Sequence, residues 1–158
     1  MIRFKQQLVG SLAAVLILTF WCTSLALAKD EVTNANHRLA LNFNEAMNRC
    51  LQSGCANIEE LMVFFADEGS YLDDSGQLWN GKASIRKRFL RTQPVAGTSD
   101  RIEGIDVAGS VVTLRLERRR VFKAGKYDAA EVKPHVQVIL LKGGRIARLI
   151  SVISPDEK

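Results

Sequence analysis

Apolar positions along this chain fall at helical spacing first and at alternating spacing later. Leu39, Phe43, Ala46, Met47 and Cys50 recur at i, i+4, i+7, i+8 and i+11, one buried stripe of a helix over residues 33–51. Thr33, Asn34 or Asn36 caps its start, and Ser53-Gly54 ends it. A second, strongly apolar helix starts at Asn57, where Asn57 and Glu60 form a capping-box pattern ahead of Leu61, Met62, Phe64 and Phe65, and it ends near Asp67-Glu68-Gly69. Tyr71 and Asp73 then alternate with Leu72, which places the first two on one face of a strand. Asp74-Ser75-Gly76 is a turn, Gln77 to Trp79 a short return strand, and Asn80-Gly81 the opening of a third helix with Ile85 and Phe89 on its buried side. Arg86, Lys87, Arg88 and Arg91 surround that pair as a solvated basic face, and Pro94 and Gly97 break the helix.

After residue 100 the pattern turns to strands. Arg101 to Val107 is one, Ala108-Gly109 a turn, and Val112, Leu114 and Leu116 alternate with Thr113, Arg115 and Glu117 in a half-buried strand that continues toward Phe122. Gly125 marks a reversal, and strands from Val132 to Leu141 and from Ile146 to Ile153 are joined by the hairpin loop Lys142-Gly143-Gly144-Arg145. Helices first and strands afterwards predict an α+β domain: three N-terminal helices over a curved antiparallel sheet. Arg118 and Arg120 share the face of Leu114 and Leu116, which is unusual for a buried sheet face. Either a bulge shifts the parity, or the strand runs past the core and its arginines stand at a rim, where they can attract an anionic ligand or a partner.

The first 28 residues change the picture of where the protein works. Arg3 and Lys5, an apolar run from Leu8 to Leu27 and the site Ala26-Leu27-Ala28 are the three parts of a secretory signal. Cleavage after Ala28 leaves residues 29–158 as a single exported domain, periplasmic or secreted, with no stable membrane anchor; an uncleaved anchor is the competing reading. Phe20-Trp21 before Cys22 does not fit a lipoprotein site. The chain carries 22 basic and 17 acidic residues, and the signal holds two of the former and none of the latter, so the mature charge is +3. So mild an excess does not suggest nucleic acid as a partner.

Cleavage also leaves Cys50 and Cys55 as the only cysteine pair, in a setting that permits oxidation; a disulfide and two buried thiols are both open readings. Two cysteines and the distant His37 and His135 lack the clustered spacing of a zinc site, and no nucleotide, P-loop or zinc-protease motif is present, so neither metal nor cofactor is expected. His37, off the apolar stripe of its helix, faces solvent.

Tyr71-Leu72-Asp73-Asp74-x-Gly76 followed by Trp79-Asn80-Gly81-x-x-x-Ile85, with the order of elements around it, resembles the SnoaL-like branch of the nuclear-transport-factor-2-like (NTF2-like) superfamily, which includes polyketide cyclases, ketosteroid isomerases and non-catalytic binding domains. The resemblance implies a cone-shaped α+β barrel with a cavity between helices and sheet. Laid on the ketosteroid isomerase pattern, Asp73 falls at the general base. The tyrosine and the protonated aspartate of that family's oxyanion hole fall near Met47 and Gln137, which argues against steroid isomerisation. The competing reading of Asp73 is a turn-forming aspartate bonded to local backbone. His135 shares its strand face with Gln137 and is the other candidate for proton transfer.

Three functions compete on this basis. The first is an exported domain that binds a small, largely apolar molecule, lined by Met47, Phe64, Tyr71, Trp79 and Gln137. The second is an isomerase, cyclase or dehydratase using Asp73 as base with help from His135. The third is an interaction module that forms a homodimer through the outer sheet face.

Overall fold

Why the chain reverses where it does is clearest at the end of the first helix. Gly54 (φ 66°) and Cys55 (φ 59°) both take the left-handed conformation, and the Cys55 amide donates to the Cys50 carbonyl at 2.7 Å, closing the helix C-terminus. A disulfide joins Cys50 to Cys55 across the same turn. The computed structural model describes residues 30–91, 98–124 and 127–153. The signal segment with Cys22 and its cleavage site, the helix breakers Pro94 and Gly97, and the reversal at Gly125 lie outside the described residues. The chain separates into units Met1–Asn34 and Ala35–Lys158. Of the first, residues 30–34 are described and helical; the second carries the sheet and the helices packed on it. No helix among the described residues is long and apolar enough to cross a membrane.

In the second unit α1 covers residues 35–53, α2 Ile58–Met62 and α3 Lys82–Leu90. The strands are β1 Phe65–Leu72, β2 Leu78–Asn80, β3 Ser99–Ala108, β4 Val111–Ala124, β5 Tyr127–Lys142 and β6 Arg145–Ile153. They form one sheet in the order β2-β1-β6-β5-β4-β3. Four of its pairings are antiparallel, as the sequence predicts; β1 runs parallel to β6, so the sheet is mixed. Breaks in register between Ile102 and Gly104 in β3 and between Leu140 and Leu141 in β5 add the local bends that bulges bring.

Several boundaries differ from the sequence reading: Thr33, Asn34 and Asn36 are themselves helical and do not cap a helix start, and β5 begins at Tyr127, ahead of Val132, where it continues the ladder with β4. Two more differ around α2 for local reasons. At the start of α2 Asn57 makes no side-chain cap, and Glu60 turns to Arg49 at 3.1 Å instead of back to the helix start. α2 then stops at Met62, and Asp67-Glu68-Gly69 belongs to β1, where the register against β6 shifts between Phe65 and Ser70. Gly69 permits this: a Cβ there would sit 2.9 Å from the Ala66 carbonyl oxygen and 3.0 Å from that of Ile146.

One apolar core joins all layers. Phe43 and Met47 of α1, Leu61 and Met62 of α2, and Ile85 and Phe89 of α3 are buried against Phe65, Val112, Leu114, Ile139, Ile146 and Leu149 of the sheet. Phe43 packs edge-on against Phe64 and Phe65 with centroids 5.8 and 5.9 Å apart. Asparagines fix α1 over the sheet: Asn36 donates to the Gly109 carbonyl at 2.8 Å, and Asn44 and Asn48 donate to the Asp100 carbonyl at 3.2 and 3.0 Å. Asn36 is thus a tether to the β3–β4 turn.

Candidate functional site

The inner face of the sheet changes character along β4. Val112, Leu114 and Leu116 are buried core, Arg118 follows on the same face with its side chain 11% exposed, and Arg120 reaches solvent at 44%. No register break interrupts β4 against β5, so the parity of the strand alone turns both arginines inward, and the strand outruns the core at Arg120. The other strands turn polar at the same level. Asp100 of β3, His135 and Gln137 of β5, Ser151 of β6 and Tyr71 of β1 are all buried and form a polar belt above the apolar core.

Two carboxylates anchor the belt. Asp100 accepts from Arg118 Nε and Nη2, both at 2.7 Å, while its amide donates to Asn48 Oδ1 at 2.7 Å. Asp73, 2% exposed, closes the β1–β2 turn. Its Oδ1 accepts from the amides of Ser75 (3.1 Å) and Gln77 (3.0 Å) and from the Ser75 hydroxyl (2.6 Å); its Oδ2 accepts from Trp79 Nε1 (3.0 Å) and Arg88 Nε (2.8 Å). Burial alone raises the pKa of such a carboxyl. Here the hydrogen bonds from Ser75, Arg88, Trp79 and the Gln77 amide outweigh it and hold Asp73 well below the usual carboxylate range. Asp74 next to it lies 4.0, 3.8 and 3.7 Å from the guanidinium groups of Arg88, Arg118 and Arg120.

Tyr71 stacks on Phe89 with centroids 5.3 Å apart and rings 5° from parallel, and its hydroxyl is hydrogen-bonded to Ser151. Burial pushes its phenol above its ordinary pKa, aided by Asp74 and opposed by the Ser151 bond, Arg88 and Arg118. Burial also holds the His135 imidazole down to about 4, with Arg118 and Arg120 acting in the same direction and Asp100 and Asp74 against it. It is therefore neutral near pH 7. His135 Nδ1 lies 3.8 Å from Asp100 Oδ2, beyond hydrogen-bond distance.

Both ring nitrogens of His135, Gln137 Oε1, Asn44 Oδ1 and Thr98 Oγ1 are buried and have no hydrogen-bond partner. Each such atom costs about 1–3 kcal/mol. Five together reach the scale of a domain's whole stability, roughly 5–15 kcal/mol, so this is the one part of the described interior whose polar groups are not closed among themselves.

Of the residues singled out in the sequence, the structure brings Tyr71, Asp73, Trp79, His135 and Gln137 to the belt. Met47 lies in the apolar core, and Phe64, partly buried, packs at its edge. Cys50 and Cys55 form their bridge at the far end of α1, beside a depression of about 340 Å³ spanned by the exposed Arg49–Glu60 ion pair; it contains none of the belt residues. His37 is exposed. Among the described residues no three His, Cys, Asp or Glu side chains are grouped to hold a metal ion. Asn44, Asn48, Thr98, Asp100 and Ser151 are site residues that sequence reasoning missed. Asn44 and Asn48, at i and i+4 beside the apolar stripe of α1, carried a readable signal.

The architecture has many relatives among solved structures. An NTF2-like protein from Anabaena variabilis ATCC 29413 superposes with a TM-score of 0.65 at 12% identity, over 80% of this chain and 94% of that one. A protein from Shewanella putrefaciens CN-32, provisionally named a SnoaL-like polyketide cyclase, gives 0.61 at 18% identity, over 75% and 88%. A protein with a ketosteroid isomerase-like fold from Catenulispora acidiphila DSM 44928, in complex with trimethylamine, gives 0.59 at 20% identity, over 73% and 85%. No family model and no curated protein matches the chain. At these identities the likeness establishes the fold: this is an α+β cone of the NTF2-like type, with SnoaL-like and ketosteroid isomerase-like neighbours.

Proposed function

We propose that this chain is an exported NTF2-like domain that binds a small molecule with an apolar body inside its cone and does not turn it over. The observation that carries this reading is the set of buried, unpartnered polar atoms on Asn44, His135 and Gln137, directly above an apolar core. A molecule with an apolar body and a polar group suits such a boundary. Binding is favoured over catalysis by the state of Asp73. A general base needs a free lone pair and a pKa near the working pH, whereas this carboxylate accepts five hydrogen bonds and is held low.

Export rests on the charged start, apolar run and Ala26-Leu27-Ala28 of the sequence. Protein isolated from the cell envelope should begin at Lys29, and native mass spectrometry of it should find a co-purifying small molecule that is lost on denaturation. An intact Met1 on cytosolic protein would overturn export, and a ligand-free mass from the native source would overturn binding.

A homodimer through the outer sheet face has an observation of its own. Val132 and Val152 are 51% and 50% exposed, and Val136 opposite Val152 and Val138 opposite Ile150 continue an apolar strip on the face away from His135. Sedimentation should give a dimer that Val138→Arg converts to monomer.

A further inference from the structure

The β1–β2 turn and the far end of β4 are not neighbours in the sheet, because β6 and β5 lie between them. Their side chains nonetheless meet. Asp74, in the turn, has its Oδ2 3.8 Å from Arg118 and 3.7 Å from Arg120 of β4, and its Oδ1 4.0 Å from Arg88 of α3. Strands so far apart in one sheet come together only where the sheet closes on itself, so these contacts span the mouth of the cone. The buried belt lies within their reach: Asp74, Arg118 and Arg120 act on the charge of the His135 ring, and Asp74, Arg88 and Arg118 on the Tyr71 hydroxyl.

The contacts to Asp74 differ in kind from those around them. Arg88 donates to Asp73 at 2.8 Å and Arg118 to Asp100 at 2.7 Å, so each guanidinium is already fixed by a buried carboxylate. The distances to Asp74 exceed a hydrogen bond and leave Coulomb attraction alone. The Asp74 side chain is 21% exposed and that of Arg120 reaches solvent, so ions compete for both; bridges of this sort are individually weak and fade with salt. What they cover pulls the other way. Both nitrogens of His135 and Gln137 Oε1 are buried without a hydrogen bond, and water supplies those bonds wherever it reaches them. Screened charge pairs thus favour the closed mouth and the groups below oppose it, which is the condition for a local opening that the apolar core does not share.

We propose that Asp74 is a latch: it holds the β1–β2 turn to β4 across the mouth of the cone, and its release by salt exposes the His135 side of the interior to solvent. This goes beyond the binding reading and holds or fails independently of any ligand. The chain has two histidines, exposed His37 and buried His135, so diethyl pyrocarbonate, which acylates neutral imidazole, reads the opening against an internal reference. At pH 7 and about 0.01 M salt the ratio of modification rates, His135 to His37, should lie well below one in peptide mass spectrometry, and about 0.5 M sodium chloride should raise it at least threefold. Asp74→Asn should raise it at least tenfold at low salt. Arg120→Gln, at the exposed end of the network, should raise it at least threefold, and serves alone if the first variant does not fold. Glu117→Gln, which breaks an outward pair with Arg101 on the same strand, should leave it unchanged. Amide exchange at Ile139 and Leu149, both in the apolar core, should stay as slow as in the parent throughout. A ratio indifferent to salt or to substitution would overturn the latch. So would a rise matched by an equal loss of protection at Ile139 and Leu149, which is global unfolding, or a ratio near one in the parent at low salt, which is a mouth already open.

Discussion

Asp100 and Arg118 face each other across β3 and β4 and meet in two parallel hydrogen bonds of 2.7 Å, with the carboxylate side chain fully buried and the guanidinium nearly so. Removing one member strands the other. Arg118→Met should destabilise the protein by about 3–5 kcal/mol in urea unfolding, and combining it with Asp100→Asn should recover most of that loss. A single-variant loss below about 1 kcal/mol would mean that the pair behaves as a surface bridge.

Acid should weaken the fold in two stages. The unfolded chain takes up the His135 proton near 6.5, the folded chain only near 4. Between those values the unfolded state holds more protons, and stability falls as pH falls, by up to about 3 kcal/mol. Asp73 adds a second loss at lower pH, because its folded pKa lies below the unfolded 3.8. Urea midpoints from pH 7 to 4 should trace the first stage, and His135→Phe should flatten it; an unchanged slope in that variant would assign the loss to other groups.

Asp73→Asn tests whether the carboxylate is an anchor. It keeps the shape of the turn and removes the charge that Trp79 and Arg88 address. The expected cost is roughly 3 kcal/mol, read by thermal unfolding, with a perturbed Trp79 fluorescence spectrum. A variant as stable as the parent would contradict the anchoring role.

How far these features were legible in the sequence depends on register. The stripe of α1, the exposed Arg86, Lys87 and Arg91 around Ile85 and Phe89 and the loop at residues 142–145 follow from local periodicity and turn chemistry; Arg88, expected on that solvated face, is instead half-buried against Asp73, a partner fifteen residues back that helical spacing does not reveal. The Asp100–Arg118 pair does not. Counted regularly back from Ala108 opposite Val111, Asp100 would face Arg119 and Arg118 would face Arg101; the irregularity between Ile102 and Gly104 moves the register by one residue and sets Asp100 opposite Arg118. Side-chain period in a strand is two, so one slipped residue reverses which groups meet, and no local pattern in residues 99–108 announces the slip. The extension of β1 back to Phe65 was hidden in the same way, since it depends on Ile146, far along the chain.

For the disulfide, reduction or the Cys50→Ser, Cys55→Ser double variant should cost about 2 kcal/mol, the entropy expected for so short a loop. Thiol titration of unreduced, unfolded protein should find no free thiol from this pair. Two would show that the bridge does not form in the isolated protein.

The parallel pairing of β1 with β6 bears on when the molecule can become itself. β6 is the last described strand to be synthesised, yet it lies between β1 and β5. A chain ending before Arg145 holds only two fragments, the β1–β2 hairpin with its helices and the β3–β4–β5 meander, with no ladder between them. Completing the sheet therefore joins residues about eighty positions apart, from Tyr71 to Leu149. Pairing over such separations is slow, so the sheet stays in two parts until β6 pairs with β1 on one side and β5 on the other.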